Sequence, residues 1–156
     1  MMEKVEDNDL FYTCSLIEYI ARITKNKKSD IVAKLGYSNI EKVYRLASVY
    51  HSENIEKIAD EFIKECHIEM GNYDGCANCK GNIPTYYDIG KVYKRLIIML
   101  DNNPKNYVKN LIEVMSSWII LKIDNYNSSM YYENPSYIYQ CYIEKKFYRR
   151  KYEDKF

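Results

Sequence analysis

Apolar residues recur at spacings of three and four along nearly the whole chain, and no stretch of useful length alternates with period two. That pattern predicts helices throughout. Leu10, Cys14, Ile17 and Ala21 fall on one stripe with Leu16, Ile20 and Ile23 beside it, giving a first helix from the capping residues at 7–9 to about Thr24. A short second helix over 30–35 is stopped by Gly36. Ser38 and Glu41 have the spacing of a capping box and open a third helix, with Ile40, Val43, Leu46 and Ala47 inward. A fourth begins after Asn54 and turns Ile55, Ile58, Ala59, Phe62 and Ile63 to the core.

Beyond the fourth helix the pattern breaks over residues 70–86, a stretch that holds Gly71, Gly75 and Gly81 and the pair Cys76 and Cys79. Thr85 and Asp88 then cap a fifth helix carrying Ile89, Val92, Tyr93, Leu96, Ile97 and Leu100. Asn103 and Pro104 open a sixth, read as running to Asp124 and as the centre of the core through Val108, Leu111, Ile112, Met115, Trp118, Ile119 and Ile123. Asn134 and Pro135 start a last helix with Ile138, Tyr142 and Ile143 inward. The expected fold is an all-α compact bundle of about seven helices, with the Gly/Cys-containing loop between helices four and five. Residues 1–156 form one domain, divided into a front half 9–68, the loop 70–86, a back half 86–145 and a charged C-terminal end 144–156.

Charge narrows the partners. The 23 basic and 22 acidic residues leave a net charge of +1, so no global field draws the protein to nucleic acid, which is not the expected partner. The 18 tyrosines point instead to half-buried, interface-like surface. The charged N-terminal residues do not resemble a signal peptide, and no apolar run is long enough to span a bilayer, so no membrane partner is expected. Five cysteines, an odd number, then read as reduced thiols of a cytoplasmic protein.

Four constellations could carry chemistry. Cys66, His67, Cys76 and Cys79 offer thiolates and an imidazole for a structural zinc, although only the Cys76–Cys79 half has the usual ligand spacing. Zinc is the single cofactor the sequence raises. Residues 29–47 have the outline of a helix-turn-helix, but the exposed side of its second helix mixes Asn39, Glu41, Lys42 and Arg45 and suits phosphates poorly. His51 and His67 are the only histidines, neither lies in a nucleophile motif, and carboxylates such as Glu18 and Asp60 read as solvated helix faces. No catalytic residue is assigned and no enzyme is expected. The C-terminal part offers a partner surface of aromatic and basic side chains: Tyr131, Tyr132, Tyr137, Tyr139, Arg149 and Arg150.

The order of FYTCSLIEYIARITKNKKSDIVAKLG, IEKVYRLASVYH, IEKIADEFI and IGKVYKRLI resembles a family of small bacterial proteins encoded beside ADP-ribosyltransferase-like toxin genes. The resemblance implies a companion role. The expected function is a non-enzymatic protein-binding module, an antitoxin or accessory component of a toxin-antitoxin-like system, whose partner is the product of a neighbouring gene or a second copy of the chain. The alternatives are a DNA-binding regulator using 29–47 and a zinc-stapled structural module.

Overall fold

Helix α1 (Val5–Thr24) is covered on all sides along its middle, with every residue from Tyr12 to Glu18 buried, and a helix of that kind belongs inside a bundle. The other helices are arranged about it. The computed structural model describes residues 4–77, 79–127 and 130–153, with only the backbone given for 145–153. Along the chain follow α2 (Lys28–Arg45), α3 (Ala47–Tyr50), α4 (Ile55–Glu65), α5 (Tyr86–Leu100), α6 (Tyr107–Met115), α7 (Ile119–Ile123) and α8 (Pro135–Glu153), with 3-10 turns at Pro104–Asn106 and Met130–Tyr132. No strand occurs among the described residues, and none of their helices is long and apolar enough to cross a membrane.

Helix α5 packs along α1, α2 lies against α1 and α6, and α8 rests on α5, so contacts join the two halves of the chain across the Gly/Cys loop. The closest approach is at Gly90, where an added Cβ would stand 2.2 Å from the Ser15 hydroxyl oxygen and 3.0 Å from the Ser15 amide nitrogen. Only glycine allows α5 to sit that near. The sixth helix was expected at the centre, and the structure gives that place to α1, because α6 and α7 are shorter than the pattern implied.

The predicted sixth helix breaks between α6 and α7. Ser117 Oγ donates to the Val114 carbonyl at 2.6 Å and accepts from the Ile119 amide at 3.4 Å, taking up backbone groups that a continuous helix would pair. At Gly36 the expectation holds in part. Its φ of 74° and ψ of 169° interrupt α2, but the helix resumes at once, and Asn39 Nδ2 donates to the Leu35 carbonyl while Ser38 makes no cap. The caps at Asn54 and Thr85 form as read, whereas α1 begins at Val5 after Lys4 with no side-chain cap, ahead of the residues 7–9 expected to cap it. Thr85 and Asp88 exchange both capping-box hydrogen bonds at 3.0 Å, and Asn54 accepts from the Glu56 amide at 2.9 Å.

Candidate functional site

Two places in the fold concentrate chemistry. The first lies at the meeting of α1, α2, α5 and α7. Lys28 donates to Glu18 Oε1 and lies 2.9 Å from Asp124 Oδ2, while Tyr93 donates to Asp124 Oδ1 at 2.8 Å. Arg22 Nε donates to Glu18 Oε2 at 2.6 Å and Nη2 to the Tyr126 hydroxyl at 3.2 Å. Glu18, expected on a solvated face, is instead 3% exposed. A carboxylate so placed must be paired, and α1 pairs it within one turn through Arg22 and across to α2 through Lys28.

The electrostatics follow from that pairing. Burial alone would raise the Glu18 carboxyl, but Lys28 and Arg22 outweigh it and hold Glu18 below its usual range. Burial, reinforced by Glu18, pushes Asp124 up despite Lys28. Lys28 is held protonated: burial works against the charge, and Asp124 and Glu18 outweigh it. The arrangement is a closed network in which each ionised group is occupied by another.

The Gly/Cys loop roofs this network. The Gly71 amide donates to the Thr24 carbonyl at 2.7 Å, the Tyr73 amide to the Lys25 carbonyl at 2.9 Å, and Asn26 Nδ2 to the Glu69 carbonyl at 2.9 Å. A Cβ at Gly71 would come within 2.4 Å of that Lys25 carbonyl, so the docking requires glycine. Asp74 accepts from the Cys76 amide at 3.0 Å and from Lys25 Nζ at 3.3 Å, and Tyr73, Asp74, Gly75 and Cys76 line the remaining space of about 220 Å³ above the charges. The loop between helices four and five is thus a docked cover.

The second place is a cleft of about 660 Å³ between the start of α1, α3 and the start of α5. Val5, Asn8, Asp9 and Tyr12 supply one face of α1, Ala47, Ser48 and His51 the opposite wall, and Phe11 and Tyr87 the third. Phe11 meets Tyr87 edge-on at 6.0 Å, and Tyr12 meets His51 edge-on at 5.9 Å. The mouth is open, with Val5 66% and Tyr87 41% exposed. At the base of the cleft Tyr12 is 5% exposed, and its hydroxyl has no hydrogen-bond partner among the described residues. Burial, then Tyr87 and Tyr50, push that hydroxyl above the usual tyrosine range. Nothing in the sequence marked this cleft, because its walls come from three helices that are distant along the chain.

The residues singled out in the sequence are spread apart. Cys66 ends α4 and accepts from Asn39 Nδ2 at 3.4 Å, His67 is exposed in a left-handed conformation with φ of 53°, and Cys76 and Cys79 lie in the cover loop. Among the described residues no three His, Cys, Asp or Glu side chains are grouped to hold a metal ion. Tyr131 packs edge-on against both Tyr126 and Tyr132, Tyr131 and Tyr139 are half-buried against the core, and Tyr132 and Tyr137 stay exposed. Arg149 and Arg150 lie outside the residues whose side chains are described. In the 29–47 segment Arg45 pairs with Glu41 on the exposed surface and Lys42 lies over the Phe62 ring.

Comparison with known proteins returns no match: no family model fits the chain, and no curated protein or solved structure aligns with it at a significant level. The site geometry therefore carries the choice of docking site.

Proposed function

We propose that this chain is a non-enzymatic protein-binding module and that the cleft between α1, α3 and α5 receives an apolar segment of its partner. The observation that carries the reading is the Tyr12 hydroxyl, buried and, among the described residues, unpaired at the base of a largely apolar cleft. An unpaired buried hydroxyl is destabilising by about 1–3 kcal/mol, so a fold that retains one in an open, largely apolar cleft is shaped for something to enter. The charge network, by contrast, is self-satisfied and joins α1, α2, α5 and α7, which is the arrangement of a staple and leaves no acid, base or nucleophile waiting for a substrate. The family resemblance supplies the partner to try, the product of a neighbouring toxin-like gene.

Sizing chromatography of the protein, alone and mixed with that product, tests the reading. A single co-eluting species at micromolar concentration is the expected result. Separate elution at every ratio removes the proposed partner. The variant Ser48→Trp, which places an indole at the exposed wall without touching the core, is expected to abolish co-elution, and an undiminished complex removes the cleft as the docking site.

A further inference from the structure

The cleft has a second property besides its apolar lining. Asp9 lines it, and among the described residues its carboxylate has neither a hydrogen bond nor an ion pair. Burial, then the neighbouring Glu6, raise that carboxyl above the usual aspartate range, which is the behaviour of an acid lacking a cation. Glu6 and Asp7 stand with it: burial, followed by Asp9, Glu6 and Asp7, pushes the Tyr44 hydroxyl up to about 12. Acidic residues at a helix start are ordinarily explained by the backbone dipole, and Glu6 and Asp7 in the first turn of α1 have that explanation. Asp9 lies beyond the first turn, where the dipole has faded. Asp7 also has a partner, the Tyr107 hydroxyl, which donates at 2.8 Å. Lys94, itself buried and not among the residues lining the cleft, stacks its Nζ over the Phe11 ring at 5.5 Å from the centroid.

Shape adds to charge. Val5, Asn8, Asp9 and Tyr12 follow the helical i, i+3, i+4, i+7 order on α1, so the α1 wall of the cleft is about two turns, or roughly 10 Å, long. A groove of that length is matched by two turns of another helix laid along it, anchored by apolar residues of the same spacing.

We infer that the occupant is a cationic amphipathic helix of the partner protein, its apolar residues seated between Phe11, Tyr12, Ala47 and Tyr87 and a Lys or Arg of its flank against Asp9 and Glu6. This rests on the reading of the cleft as a protein-docking site. The partner helix brings the cation that the acid lacks, and its side chains close the mouth above Tyr12. The acidic side also sets specificity, since a helix with the same apolar face and an acidic flank meets like charge at close range.

Fluorescence titration with three synthetic helical peptides of about twelve residues tests the inference, each with leucines at the i, i+3, i+4, i+7 positions and with the flanking positions all Lys, all Gln or all Glu. The Lys peptide is expected to bind about tenfold more tightly than the Glu peptide, and raised salt is expected to shrink the gap. In Glu6→Gln/Asp9→Asn the ratio is expected to fall below about threefold while circular dichroism is unchanged. Equal binding of the three peptides, competed by Ser48→Trp substitution, overturns the charge inference and leaves the docking cleft standing. Binding of none of them, or binding that Ser48→Trp leaves intact, overturns both. A Lys–Glu difference that survives Glu6→Gln/Asp9→Asn overturns the assignment to these two carboxylates.

Discussion

Replacing Lys28 by methionine removes the one cation that two buried carboxylates share. The side chains of Lys28, Glu18 and Asp124 are 2%, 4% and 12% exposed, so water does little to screen what remains. Methionine keeps the apolar stem and roughly the volume, which confines the change to the charge and its contact with the Tyr93 ring, 5.1 Å away. Breaking a buried pair by deleting one partner destabilises by about 3–5 kcal/mol, and for a chain of this length each kcal/mol moves the melting temperature by about 2–4 °C. The expected fall is therefore about 6–20 °C in thermal melts followed by circular dichroism at neutral pH.

The pH dependence carries a sign of its own. Asp124 already holds its proton more strongly than an ordinary aspartate, and losing Lys28 removes the charge that pulled it down. The folded variant thus binds a proton that the unfolded chain releases, so its stability is fullest below the unfolded aspartate range and is lost as pH rises through the folded value. In the wild type Glu18 is depressed, and its contribution is present above the usual glutamate range and lost as pH falls through the folded value. The Asp124 effect narrows the gap between wild type and variant on acidification from about pH 8 to about pH 5, and the Glu18 effect narrows it further only below the usual glutamate range. A gap under about 1 kcal/mol at neutral pH, or one that widens with acid, refutes the network as a staple.

Two further substitutions probe the packing. Gly90→Ala is expected to destabilise by about 1–3 kcal/mol in urea unfolding, because its Cβ would collide with Ser15, and Ser15→Ala in the same chain is expected to recover only part, since the Ser15 backbone is also within 3.1 Å. Tyr12→Phe deletes a buried hydroxyl that has no partner among the described residues, so stability is expected to rise by about 1–3 kcal/mol in the same assay.

Helix positions were legible because their signals are local. Thr85 with Asp88, Asn54, and the Asn-Pro pairs at 103–104 and 134–135 each state a helix start within four residues, and each start is where the pattern put it. The break at Ser117 was not legible, since a serine inside an apolar stripe reads as continuous until its hydroxyl is seen bonded to Val114 and Ile119. Glu18 was misread for a different reason. Its partner Arg22 is one turn away and visible, but Lys28 lies beyond a loop and Asp124 in the far half of the chain, and a helix stripe cannot show which polar residue the rest of the fold will cover. The tyrosines serve the core as well as the half-buried surface read for them, where Tyr19, Tyr44, Tyr131 and Tyr139 sit. Tyr12, Tyr93, Tyr107, Tyr126 and Tyr142 are buried, and the abundance of the residue says how the core is built before it says anything about partners.

Docking at the α1–α3–α5 cleft and docking at the tyrosines before and on α8 make opposite demands on two variants. Co-elution of the proposed partner with Ser48→Trp and, separately, with Tyr132→Ala/Tyr137→Ala separates them, since both sets of side chains are exposed and neither change disturbs the core. Ser48→Trp is expected to abolish the complex and the tyrosine variant to leave it intact; a complex lost only in the tyrosine variant overturns docking at the cleft.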